Sequence, residues 1–129
     1  MATFSLFVSS NPFSSQAHWQ ALDFVRTALA AGHSIQRVFF YSDAVLVASK
    51  LVQPPQGQIT ASSVWQELAS AHDFPLQACI ANSLRRGIVN EAESQRYELE
   101  SANMCAGFEL VGLGEMAEAL HDSDRVVQF

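Results

Sequence analysis

The stretch FPLQACIANSLRRGI (Phe74 to Ile88) decides the fold. Its first half, FPLQACIA, is a short uninterrupted apolar run with the length of a buried strand. A polar, basic helix start follows at once. A strand that feeds straight into a helix is the joint of a βα unit, and such units build parallel sheets.

Outward from this joint the same alternation recurs. TFSLFVS near the start reads as a strand ending in the polar loop SNPFSSQ. HWQALDFVRTALAAGH carries Trp19, Leu22, Val25 and Leu29 at helical spacing, with Gly32 placed to cap the end. IQRVFFYS is a second buried strand. DAVLVASKLV reads as a helix with Asp43 near its start, where the helix dipole favours an anion. QPPQGQIT is a loop too short to separate domains. SSVWQELASAHDF is a helix with capping-box spacing from Ser63 to Gln66, and Asn90 and Glu93 repeat that spacing at the start of EAESQRYELESAN. GFELVG is a fourth strand, GEMAEALHDS a helix, and DRVVQF a fifth strand.

Most of these strands are continuous apolar runs, the mark of a parallel sheet covered on both faces. The expectation is one doubly wound α/β domain over residues 1–129, with a five-stranded parallel sheet flanked by helices on both faces. In the common order 2-1-3-4-5, the reaction crevice lies between the loops after strands one and three. Those loops are SNPFSSQ and the region of Cys79.

Composition narrows the function. The chain has 129 residues, 49% hydrophobic and 16% charged, a low charge content for a soluble monomer. That balance suggests surface covered by another chain. Net charge is -6, and the seven Lys and Arg residues are scattered, so no basic patch tracks a phosphate backbone. No apolar run reaches the roughly 18–20 residues that span a bilayer. The start MATFSLFVSSNPF lacks the basic region of a signal peptide. The expected location is the cytoplasm, a reducing compartment in which Cys79 and Cys105 stay free thiols. His18, His33, His72 and His121 show no metal-ligand spacing and read as helix-end or surface residues. Neither a metal nor a cofactor is expected.

Cys79 has two readings. It is a small hydrophobe at the end of a core strand, as free cysteines commonly are, or a thiol placed to react. A helix amino terminus favours the thiolate, the nucleophilic form, and Arg85 and Arg86 lie within two turns. No adjacent His or Asn marks a papain-like hydrolase. A thiol that accepts a group and passes it on needs no separate base. Cys105 reads as a small core residue rather than a relay thiol. Gly112-Leu113-Gly114 with Ala117 has the form G-x-G-x-x-A, but it follows the fourth strand and leaves no room for the ribose-binding acid. It reads as a tight turn and helix cap.

The segments RVFFYSDAV, ACIANSLRRGI, FELVGLGEMAEAL and DRVVQF together resemble the DsrE family, most closely its TusD branch, nearly end to end. The A-C-x-x-x-x-x-R-R-G piece and the terminal DRVVQF are the specific parts. The resemblance implies a cytoplasmic sulfurtransferase that carries sulfane sulfur as a persulfide on Cys79. It also implies partner chains of the same fold, TusB-like and TusC-like, in a heterohexamer. Sulfur would arrive from a TusA-like donor and leave to a TusE-like acceptor, on its way to 2-thiolation of a tRNA wobble uridine. Nothing carries over onto Cys105. The loop Ser9-Ser10-Asn11-Pro12-Phe13-Ser14-Ser15 departs from the glycine-containing stretch of many relatives, and is expected to face Cys79.

Three other readings stand beside this one. The first is a DsrE-type carrier in dissimilatory sulfur oxidation. The second is a non-catalytic scaffold subunit with Cys79 buried and inert. The third, a small-ligand domain at the same crevice, lacks a phosphate loop to support it. The carrier reading expects Cys79 to be accessible and reactive below the ordinary thiol range.

Overall fold

The five apolar runs pair side by side in a computed structural model that describes all of residues 1–129. They are Thr3–Val8 (β1), Ser34–Phe40 (β2), Leu76–Cys79 (β3), Phe108–Val111 (β4) and Arg125–Gln128 (β5), and every pairing is parallel. The lateral order is β4-β3-β2-β1-β5, not 2-1-3-4-5. The reason is topological. Three successive crossovers each place the next strand beside its predecessor, and only the last returns across the sheet to the far side of β1. The winding therefore reverses at the β1–β5 boundary. Because β2 lies between β1 and β3, the loops after those two strands do not flank one crevice.

Right-handed crossovers in one direction put their helices on one face, and the reversed one puts its helix on the other. Helices α1 (Ala17–Ala30) and α2 (Ala61–His72) accordingly cover the larger core. There Leu6, Val8, Val38, Phe40, Leu76, Ala78 and Phe108 of the sheet meet Leu22, Val25, Val64 and Trp65 of the helices. Phe40 sits at its centre, edge-on to Trp65 at 5.4 Å and stacked on His18 at 5.8 Å. Strict alternation would turn Ile35 away from this core. A register shift between Phe4 and Ser5, opposite Ile35 and Arg37, leaves Gln36 as an extra residue and keeps Ile35 inside.

The second face is thinly covered. Helix α5 (Gly114–Asp122) lays Met116 and Ala119 into a small cluster with Phe39 and Cys79. Phe7, Tyr41, Val111 and Val126 around it are half-buried. Beside the cluster runs a polar row. Arg37 donates to Gln77 Oε1 and to the carbonyl and carboxylate of Glu115, while Gln77 Nε2 donates to Glu109. Asp122 stands 3.6 Å from the same guanidinium.

Local details depart from expectation in identifiable ways. DAVLVASKLV forms only a seven-residue 3-10 helix, Ser42–Ala48, before turning. The cap of α2 is Thr60, whose hydroxyl accepts from the Ser63 amide, while Gln66 instead donates to the Ala106 carbonyl. Asn90 does cap its helix, α4 (Glu91–Arg96), by accepting from the Glu93 amide. The Glu93 side chain does not return the bond. Gly32 follows the end of α1 with φ +87, the left-handed position that favours glycine. His18 is neither exposed nor peripheral: it has no accessible surface. Phe129 is tied to β1 through main-chain bonds with Ser9 and Phe7. No helix is long and apolar enough to cross a membrane.

Candidate functional site

Alternation along β3 sends Leu76 and Ala78 into the larger core and Gln77 and Cys79 onto the opposite face. Cys79 is the last residue of that strand. With φ -59 and ψ 121 it is also the non-helical residue that opens α3 (Ile80–Arg85). Its side chain accepts no backbone N–H of that helix. The contact to sulfur comes instead from a side chain: Asn82 Nδ2 lies 2.9 Å from Cys79 Sγ. Asn82 occupies the third helical position, from which a side chain naturally reaches back to the residue opening the helix.

Two shells of charge stand behind this amide. Arg86, one turn on, donates through Nη1 to Asn82 Oδ1 at 3.3 Å and to the Asn82 carbonyl at 3.2 Å. Its Nε donates to Asp43 Oδ1 at 2.9 Å, from the start of the 3-10 helix. The Arg85 side chain is exposed and makes no hydrogen bond, unlike that of Arg86. Of the two arginines weighed from the sequence, only Arg86 is linked to the thiol. Asn82 and Asp43 were missed there. The legible signal for Asn82 was the Cys-x-x-Asn spacing across a strand-to-helix joint.

Cys79 is 4% exposed, which overturns the expectation of an accessible thiol in the isolated chain. The small cluster on the second face covers it, and that cluster includes two residues of α5. Cys105 lies elsewhere. It packs against the larger core, exchanges a hydrogen bond with Ser62 Oγ at 3.3 Å, and borders a cavity of about 650 Å³. Pro12 and Phe13 of the first loop line that same cavity. The loop therefore faces Cys105 and not Cys79, because β2 separates its strand from β3. The chain's two thiols sit on opposite faces of the sheet and form no pair. No three His, Cys, Asp or Glu side chains converge as a metal-holding group.

The chain compares closely with known proteins over its full length. It is 44% identical over 126 residues to the "Sulfurtransferase TusD homolog" of Aliivibrio fischeri, covering 98% of this chain and 97% of that one. It is 41% identical over 126 residues to the "Sulfurtransferase TusD" of Erwinia tasmaniensis, covering 98% of each. Among solved structures, the ychN protein from E. coli superposes with a TM-score of 0.77 over 100% of both chains, at 20% identity, which speaks to the fold. The family model of the DsrE/DsrF-like family matches residues 3–129, and with relatives of this identity and coverage the chain belongs to that family.

Proposed function

We propose that this chain is a sulfurtransferase subunit that accepts sulfane sulfur on Cys79 as a persulfide and hands it to a partner thiol. The observation that supports it most directly is the standing of one thiol at a strand-to-helix joint, with a donor on its sulfur, in a chain this similar to proteins named for sulfur transfer. The Cys79 thiolate attacks the outer sulfur of a donor persulfide. The new Sγ–S bond forms, the donor's S–S bond breaks, and the electron pair leaves on the donor thiolate. A partner thiolate then attacks the outer sulfur and Cys79 leaves as thiolate. No net oxidation occurs, and rates follow thiolate fraction, leaving group and access.

In the full reading the donor is a TusA-like carrier and the acceptor a TusE-like protein, all cytoplasmic. The chain works with TusB-like and TusC-like partners, and the sulfur ends in 2-thiolation of a tRNA wobble uridine. Thin cover on the second face fits a chain that works in an assembly. Burial of Cys79 is the observation that favours the second reading, a non-catalytic scaffold subunit.

Intact-mass spectrometry after incubation with a persulfidated TusA-like donor separates the two. The carrier reading expects a gain of one sulfur that reductant removes and Cys79→Ser abolishes. A wild-type chain that gains none, and whose Cys79 alkylates only after denaturation, is the scaffold.

A further inference from the structure

We propose that Asn82 is a catalytic residue of the sulfur relay and that Arg86, anchored by Asp43, is the positioning residue that sets its polarity. This rests on the carrier reading of Cys79. An asparagine amide has a donor end and an acceptor end of nearly equal shape, and its orientation follows from its neighbours. A guanidinium has donors only. With Arg86 Nη1 at 3.3 Å, the end of Asn82 that faces Arg86 must be Oδ1. The NH2 end is thereby turned onto Cys79 Sγ at 2.9 Å. A reversed amide would set donor against donor and aim oxygen lone pairs at the sulfur. Asp43 holds the guanidinium from its other edge at 2.9 Å, and the Asn82 carbonyl holds it at 3.2 Å. Asn82 is 8% exposed, so water competes little for the amide.

The chemistry gives such a donor a specific task. In the loaded state Sγ is a neutral bridging sulfur. When a partner thiolate takes the outer sulfur, the Sγ–S bond breaks and its electron pair collects on Sγ, while the transferred sulfur keeps its proton. A donor fixed beside Sγ is therefore stronger in the transition state for release than in the loaded ground state, the condition for acceleration. In the loading step a hydrogen bond to the attacking sulfur blunts its nucleophilicity, so the donor brings no clear gain there. Release is the step that reads the donor cleanly. The charged groups on this side of the sheet are Arg86 and Asp43, linked to the sulfur through Asn82, then Arg37 and Glu109 joined through Gln77, two residues back along β3, and Glu115 and Asp122 of α5, which pair with Arg37.

The test loads the whole chain with free cysteine persulfide and follows single-turnover release to glutathione by intact mass, across pH. Iodoacetamide alkylation of Cys79 in the unloaded protein runs over the same pH range, in a Cys105→Ser background. Asn82→Ala and the isosteric Asn82→Asp are expected to slow release about tenfold, the weight of one hydrogen bond to a charged acceptor. Both move the alkylation midpoint to higher pH. Arg86→Met does the same to a smaller extent, and Arg86→Lys, which keeps a donor-only partner for Oδ1, recovers part of the loss. A folded Asn82→Asp with wild-type release and wild-type midpoint overturns the proposal. Should wild type fail to load, the carrier reading falls and this proposal falls with it; a wild type that loads and releases while folded Asn82 variants release at the same rate overturns the proposal alone.

Discussion

His18 has no accessible surface and is fixed by two partners of opposite kind. Its Nε2 donates to the Ser10 carbonyl at 2.9 Å, so the neutral ring accepts at Nδ1, where Trp65 Nε1 donates at 3.3 Å. Desolvation holds the imidazole below its ordinary value of 6.5, and the bond to Ser10 opposes the shift. The unfolded chain thus binds a proton that the folded chain resists. Stability from this site is present above about pH 6.5 and is lost as pH falls from there toward the folded value. Urea melts from pH 8 down to 5 are expected to show a decline of at most about 1.4 kcal/mol per pH unit. His18→Gln should flatten that slope; an unchanged slope would place the titration elsewhere. A lone histidine near a helix start reads as surface, because Trp65 and Ser10 meet it only after folding. Asn82 was hidden for a similar reason. Its partner Cys79 is near in sequence, but the Arg86 that orients its amide is itself oriented by Asp43, which the tertiary fold supplies.

At the scale of the element, α5 carries the largest consequence. Met116 and Ala119 give it a small apolar footprint, and Arg37 does the rest. That guanidinium, its side chain 8% exposed, reaches Glu115 in the first turn of α5 and Asp122 in the last. One strand residue clasps both ends of the helix that helps cover Cys79. Its Nε is buried without a partner, so the clasp is not fully satisfied. The carboxylates are 42% and 50% exposed, which screens the pairing. Arg37→Met is therefore expected to cost about 1–2 kcal/mol, chiefly from the lost hydrogen bonds. It should also raise the rate at which iodoacetamide reaches Cys79 in the folded chain. A lowered melting temperature with an unchanged alkylation rate would show that the thiol is reached by another route. The helix itself was legible from GEMAEALHDS and its glycine turn. Which face it covers was not, since that depends on the direction of the return crossover.

Across the whole molecule, stability rests on the larger core, and Phe40 is its hub. It touches α1 through His18, α2 through Trp65 and β4 through Phe108, whose ring lies 5.7 Å away. Phe40→Ala is expected to cost about 3–5 kcal/mol. Against a typical total of about 5–15 kcal/mol that is a large share, and chemical denaturation should show a single earlier transition. Loss of the second-face cluster alone, with Phe40 packing intact, would argue instead for two independently melting halves.

Five strands, their parallel sense and the joint at Cys79 were determined by the sequence itself. Continuous apolar runs joined by helices admit few other arrangements, and burial on both faces leaves its mark residue by residue. The lateral order, the cover over Cys79 and the separation of the first loop from that thiol were decided only by tertiary structure. The pattern of a strand says that it is buried, but not beside which neighbour. A parallel sheet built from crossovers in one direction and a single return across the sheet to the far side of β1 places β2 where a different winding would have opened a crevice. The same return brings α5 and its clasp onto the face that Cys79 occupies.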